Sequence, residues 1–147
     1  MDARERFKAT RAAVTRLHDV QLLLMYNGDD WRPEGVRAAH ETSDPTAQQA
    51  IRNVDELAEK LEALRREEQE LTDLIGESLA IIEGVRTGFG EVYANLLEWR
   101  SIDLLTWSDI HEQHGIPRSS GHYLLGIAYD WIDSVGVSRL LRGEVDV

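Results

Sequence analysis

The chain has 147 residues, of which 27 are acidic and 16 basic, so its net charge is −11. It has no cysteine, which excludes disulfides, thiolate metal sites and a cysteine nucleophile. A hydrophobic fraction of 42% suffices for a buried core, yet no apolar run is long enough for a membrane span. Because the N-terminus is charged from the second residue, we expect no secretory signal and a cytoplasmic protein.

The first half of the chain has the pattern of two long helices. Residues 3–26 place apolar side chains at helical spacing on one face, namely Phe7, Val14, Leu17 and Leu24. Asp44 and Pro45 form a typical helix start, and a seven-residue apolar repeat continues from there to about Val85. We therefore predict an all-α protein whose residues 1–87 form a helical hairpin similar to a coiled coil. A long dimeric coiled coil is the alternative.

The two predicted helices differ in length. A polar loop over about residues 27–43 joins them. At 1.5 Å per residue the second helix extends about 60 Å, against about 36 Å for the first. The first helix cannot cover the whole apolar repeat, so we expect the protein to self-associate through its N-terminal helices unless the helix over residues 91–101 covers the rest.

Basic side chains form a row on the first helix. Arg4, Lys8 and Arg11 share one face, and Arg6 and Arg16 lie near it. Such a row could contact phosphate groups. The alternative is ion pairing with acidic residues on a neighbouring helix, and the sequence leaves both interpretations open.

Residues 88–147 have the pattern of a helix-turn-helix domain. Three glycines end the long helix, and another helix is predicted over about residues 91–101. The first helix of the motif has Thr106 as its N-cap and runs to His114. This half of the chain is the predicted second domain, after the hairpin.

A turn separates the two helices of the motif. Gly115 supplies the positive φ that joins two short helices at a steep angle. Pro117 suits the first position of the last helix, which we expect to end near Ser134. Buried contacts between the two helices are expected at Ile110, Ile116 and Leu124. The residues after Gly136 are expected to form a weakly held tail.

The N-terminal end of the last helix is the candidate DNA-binding site, because this end enters the major groove in helix-turn-helix proteins. The predicted DNA-contacting residues are Arg118, Ser119, Ser120, His122 and Tyr123. Residues 101–147 carry three basic side chains against seven acidic ones. So few cations predict weak DNA binding, with a log–log salt slope of roughly −2 to −4.

Other kinds of chemistry have little support in the sequence. His111, Glu112 and His114 could share a helix face as zinc ligands, but their spacing is not that of HExxH and no further ligand cluster occurs. A nucleophile elbow and a glycine-rich phosphate loop are both missing. We expect no enzymatic activity, no metal and no cofactor.

One set of residues within about positions 96–133 carries a family resemblance. These residues are Trp107, Ile110, Gly115, Arg118, Ser119, Ser120, Tyr123 and Ala128. Together with the preceding helices, this pattern resembles the small phage and prophage activators of late-gene transcription, whose C-terminal part is similar to region 4 of bacterial sigma factors. The resemblance implies a transcription regulator whose partner is double-stranded DNA, RNA polymerase or both.

The acidic composition also fits a protein of a different class. An acidic helical inhibitor or adaptor can copy the charge of DNA and bind a host nucleic-acid enzyme, such as a polymerase or a CRISPR or other defence nuclease. The charge around the last helix discriminates the two hypotheses, because a DNA-binding surface needs cations that a DNA mimic does not.

Overall fold

The computed structural model describes residues 1–30 and 45–144, with the backbone alone at residues 28–30 and 45–47. These ranges contain helices and no strand, which confirms the predicted all-α class. The helices are α1 (Ala3–Asp30), α2 (Pro45–Gly88), α3 (Glu91–Ser101), α4 (Trp107–His114), α5 (Arg118–Val135) and α6 (Val137–Leu141). None of the helices in this part of the chain has both the length and the hydrophobicity that crossing a membrane requires.

The predicted bounds of the helices agree with the structure over most of their length. Helix α1 continues to Asp30, through the first residues of the predicted loop, and the rest of that loop lies outside the described residues. Helix α2 starts at Pro45 as predicted and passes through Gly84 before it ends at Gly88. A glycine in a helix costs about 1 kcal/mol relative to alanine, which the packing of neighbouring residues offsets here.

The chain forms two compact units. Residues 1–15 and 72–147 form one, called the terminal unit, and residues 16–71 form the other, called the middle unit. This division differs from the predicted ranges 1–87 and 88–147. The reason is that the start of α1 and the end of α2 share a core with the C-terminal helices. Helical periodicity in the sequence does not reveal this shared core.

The core of the terminal unit takes side chains from every helix. Its buried members are Ala3, Phe7, Ile81, Ile82, Val85, Ala94, Leu96, Leu97, Ile110, Leu125, Ala128, Ile132 and Leu140. Phe7 is 1% exposed, and its ring centroid lies 6.1 Å from that of Tyr129 on α5. Burying such a side chain stabilises the fold by about 1.5–3 kcal/mol, so the start of α1 is held firmly against α5.

A buried pair of hydroxyl groups lies within this core. The Thr10 hydroxyl donates to the Arg6 carbonyl at 2.9 Å, and it lies 2.6 Å from the Ser78 hydroxyl. Because the single hydroxyl proton of Thr10 is used on Arg6, Ser78 is the donor in the second bond. Ser78, which interrupts the apolar repeat of α2, is therefore the partner of a polar residue on α1.

Within the middle unit, α1 and α2 run antiparallel. The Arg16 side chain donates to Glu67 at 2.6 Å and 3.1 Å, and Leu23, further along α1, shares a groove with Leu57, which lies earlier on α2. The hydrogen bond between Arg16 and Glu67 raises the pKa of Arg16 and lowers that of Glu67. This antiparallel arrangement is the one that the predicted hairpin requires.

The residues buried between the two helices of the motif agree only in part with the prediction. Ile110 is fully buried, as predicted, but Ile116 and Leu124 are only half-buried. The buried stripe of α5 runs instead through Gly121, Leu125, Ala128 and Ile132. Ile116 and Leu124 pack against this core without being fully buried, and the fully covered position is Leu125, one residue after Leu124.

Residues Val137–Leu141 form a sixth helix, so the prediction of a weakly held tail is wrong for this segment, and residues 145–147 lie outside the described residues. Gly136 has a φ of 97° and ends α5, after which α6 begins at Val137. Leu140 on α6 is 2% exposed and belongs to the core. Leu140 and the half-buried Val137 therefore hold this segment against the core.

The Leu140→Ala substitution should lower the free energy of unfolding by about 2–5 kcal/mol, because it leaves a cavity in the core. Leu141→Ala is the matched control, since Leu141 is 38% exposed and should change stability much less. Urea unfolding followed by circular dichroism measures both. Equal effects of the two substitutions would contradict the core position of Leu140.

The two glycines of α5 should respond to alanine in opposite directions. A Cβ atom at Gly121 would collide with the indole ring of Trp107, whereas one at Gly126 has only the Arg4 guanidinium nearby, at 4.0 Å. Overpacking costs about 1–3 kcal/mol, and alanine gains up to about 1 kcal/mol over glycine in an open helical position. Thermal unfolding should therefore show a lower Tm for Gly121→Ala and a higher Tm for Gly126→Ala. A higher Tm for both would show that the indole ring moves away freely.

Candidate nucleic-acid interface

Helix α4 begins with a complete capping box. The Thr106 hydroxyl accepts a hydrogen bond from the Asp109 amide at 3.1 Å, and the Asp109 carboxylate accepts one from the Thr106 amide at 3.0 Å. These bonds lower the pKa of Asp109. Two otherwise unpaired amides are satisfied in this way, which explains why the helix starts at Trp107 and confirms Thr106 as its N-cap.

The turn between α4 and α5 has the predicted left-handed glycine. Gly115 has a φ of 74° and a ψ of 17°, and its amide donates to the His111 carbonyl at 2.9 Å. Pro117 lies in an extended conformation just before α5, one position earlier than predicted, and α5 begins at Arg118. Helix ends are commonly displaced by one residue in this way.

All of the predicted DNA-contacting residues lie on the surface at the start of α5. They are Arg118, Ser119, Ser120, His122 and Tyr123. The Arg118 Nε atom donates to His122 Nε2 at 3.4 Å, and the Tyr123 side chain is 71% exposed. The structure thus brings the five residues together on the first turns of one helix, and their contact with DNA stays a prediction.

A cleft beside this end of α5 is lined by residues from α1 and α3 as well. Its volume is about 190 Å³, and its polar and aromatic lining consists of Arg4, Phe7, Lys8, Arg11, Arg100, Ser101, Trp107, His122 and Tyr129. The sequence shows the row of Arg4, Lys8 and Arg11 on α1, but it does not show that this row lies beside α5. Arg100 was not among the residues predicted to have a function. The juxtaposition depends on the packing of Phe7, which joins residues more than 100 positions apart.

Arg100 is the most buried of the cations that line this cleft. Its guanidinium donates to the Leu105 carbonyl at 2.7 Å and lies over the Trp107 ring, 4.7 Å from the centroid. Burial lowers the pKa of Arg100, and the positive charges of Arg11 and Arg118 lower it further. The hydrogen bond also supports the connection from α3 to α4, where Leu104 has a φ of 57°.

Arg4 and Tyr129 form the other wall of the cleft. The Arg4 guanidinium lies 5.0 Å from the centroid of the Tyr129 ring. Burial raises the pKa of the Tyr129 hydroxyl, and the nearby charges of Arg4 and Arg100 act in the opposite direction. Cation–π contacts of this kind hold the guanidinium groups in place while leaving their N–H donors available to a ligand.

The histidines of α4 do not form a metal site with their neighbours. His111 is exposed, and the His114 ring stacks on Trp99 with a centroid distance of 3.7 Å. In the described ranges no group of three or more histidine, aspartate or glutamate side chains has the geometry to hold a metal ion. The stack instead joins the end of α4 to α3.

Comparisons with protein-family models, with curated proteins and with solved structures give no match to this chain. The geometry of the helix-turn-helix and of the adjacent cleft is therefore the basis for a functional proposal.

Proposed function

We propose that the protein is a transcription regulator of the phage or prophage type that acts in the cytoplasm and binds double-stranded DNA. The observation that carries this proposal is the left-handed turn at Gly115, which is followed by polar, exposed side chains on the first turns of α5. A helix presented in this way fits the major groove, which is wide enough to admit it.

The exposed side chains of α5 have distinct roles in this proposal. The Arg118 guanidinium suits the O6 and N7 atoms of guanine, which two parallel N–H groups contact together. Ser119 and Ser120 are short donors that suit phosphate oxygens at the groove edge. His122 and Tyr123 extend the same face along the groove. Such a protein is not an enzyme and works without a cofactor.

RNA polymerase is the second proposed partner. The resemblance to late-gene activators supports it, since those proteins act with the polymerase. The middle unit is acidic, with 13 acidic and seven basic residues between positions 16 and 71. A surface of this charge repels DNA and is better suited to contact a protein.

The net charge of −11 favours a second candidate function, an acidic inhibitor that mimics DNA. Its prediction is distinct, because a mimic binds no DNA at any salt concentration. The cations that surround the start of α5 support the regulator instead, since residues 1–15 hold four basic and two acidic side chains.

Arg118→Ala should weaken binding to the preferred duplex by about 5- to 150-fold, which corresponds to about 1–3 kcal/mol for a bidentate base contact. The duplex is first selected from a random library with the wild-type protein, and affinities are then measured by gel shift. Arg139→Ala is the control, since it removes the same charge from an exposed position on α6. An unchanged affinity in Arg118→Ala removes the groove-reading role, and failure to bind any duplex favours the DNA mimic.

The protein is also proposed to form a homo-oligomer through the middle unit. Four large apolar side chains are exposed near the end of α1, namely Leu22, Leu23, Met25 and Tyr26, with exposures of 41–70%. Their clustering on a single stretch of α1 supports a contact with a second copy, because apolar patches of this kind mark association sites.

Sedimentation equilibrium at high micromolar concentration should show a dimer for the wild-type protein. In the Leu22→Lys/Tyr26→Lys variant the dissociation constant of the dimer should rise about tenfold or more, since burying an unpaired charge costs at least about 1.4 kcal/mol. Val92→Lys/Leu141→Lys adds the same charges at exposed apolar positions of the terminal unit and should leave the dimer unchanged. A monomeric wild-type protein would contradict the proposal.

A further inference from the structure

The cleft beside α5 is basic in a protein that is acidic overall. Its cations are Arg4, Lys8, Arg11 and Arg100, and no acidic side chain among the described residues lines it. Arg118 lies close enough for its charge to lower the pKa of Arg100. The cleft therefore concentrates positive charge at one place in the terminal unit.

The cations of the α1 row have no ion-pair partner in the described part of the chain, unlike their neighbours on the same helix. Arg6 pairs with Glu77 and Arg16 pairs with Glu67. Arg4, Lys8 and Arg11 form no such pair with a described residue. Ion pairing with a neighbouring helix, the alternative interpretation of the row, therefore applies to Arg6 and Arg16. Among the described residues it does not apply to Arg4, Lys8 and Arg11.

This arrangement costs stability in the absence of a ligand. Arg4 and Lys8 are four residues apart on one helix, and like charges at that spacing repel. Arg100 is partly buried beside further cations, which is why its pKa is lowered. An anion in the cleft would relieve both effects, because its charge would compensate several cations at once.

We propose that this cleft binds a phosphate group. Guanidinium groups match the geometry of phosphate oxygens, and those of Arg4 and Arg100 are already held by the Tyr129 and Trp107 rings. Lys8 and Arg11 are exposed at its rim and supply mobile charges. A volume of about 190 Å³ is several times the roughly 30 Å³ share of one water molecule, so the group has room to enter.

The phosphate has two sources, either the backbone of a bound duplex or a free nucleotide. His122 belongs both to the cleft and to the proposed DNA-contacting face, so a duplex on α5 would place a strand near the cleft. The duplex source rests on the proposed function. In that case the cations of α1 and α3 add to those of residues 101–147, and the salt slope is steeper than sequence analysis predicts.

The first experiment tests the cleft without DNA. The backbone amide of Arg100 and the indole N–H of Trp107 are followed by NMR while inorganic phosphate or thymidine 5′-monophosphate is added at constant ionic strength. We expect saturable shifts in the wild-type protein and their loss in Lys8→Ala/Arg11→Ala. The control is Lys60→Ala/Arg65→Ala, which removes the same residue types from exposed positions of the middle unit and should keep the shifts.

The second experiment measures duplex binding by fluorescence anisotropy over a series of salt concentrations. Lys8→Ala/Arg11→Ala should make the log–log slope shallower by about two, since each phosphate contact contributes about 0.9. Its affinity should fall by a similar factor on different DNA sequences, while the control variant matches the wild-type protein. Lys8→Gln/Arg11→Gln repeats both experiments with longer polar side chains, should the alanine variant unfold.

The two experiments separate the cleft from the proposed function. Shifts that the small probes cause in the wild-type protein and not in Lys8→Ala/Arg11→Ala support a phosphate site, even if no duplex binds. A failure of every duplex to bind contradicts only the proposed function. A change of slope without shifts identifies the DNA backbone as the source. If the small probes cause no shifts and the slope is the same in all variants, the phosphate site is overturned while DNA reading by α5 stands.

Discussion

The terminal unit depends on the packing of Phe7, a residue of α1, against α5. Its ring is almost fully buried and lies 6.1 Å from Tyr129, centroid to centroid. A second link lies next to it, where the Ala3 amide donates to the Asp133 carboxylate at 2.8 Å. These contacts bring the N-terminal cations beside α5. Residues 72–147 hold 12 acidic and five basic side chains, and three of the four cations that line the cleft come from α1.

A stack of three groups connects this cleft to the helix-turn-helix. The Arg100 guanidinium covers one side of Trp107, and the ring of Trp107 lies against the backbone of α5 at Gly121. The missing side chain of Gly121 is what allows α4 and α5 to approach so closely. The cation in the cleft and the close approach of the two helices therefore both involve the same indole ring.

Features that depend on neighbouring residues could be predicted from the sequence. The N-cap at Thr106, the left-handed turn at Gly115 and the bounds of α3 all result from hydrogen bonds within a few residues. The exposure of the predicted DNA-contacting residues also follows from their position after Pro117, at the start of a helix.

Features that depend on distant contacts could not be predicted. The division into two units, the core position of Leu140 and the place of the α1 row follow from packing between residues far apart in sequence. Periodicity shows that a helix has an apolar face but not which helix covers it. The greater burial of Leu125 than of the predicted Leu124 has the same cause, since a shift by one position changes the face that is buried.

The hydroxyl pair of Thr10 and Ser78 determines more than a local hydrogen bond. Apolar faces can slide along each other by a helical turn at little cost, but a slip here would strand two buried hydroxyls, at about 1–3 kcal/mol each. The pair therefore selects a single alignment of α1 on α2, much as one polar residue selects the register of a coiled coil. Lys8 and Arg11 lie within two residues of Thr10, so this alignment also sets the height at which their charges meet α5.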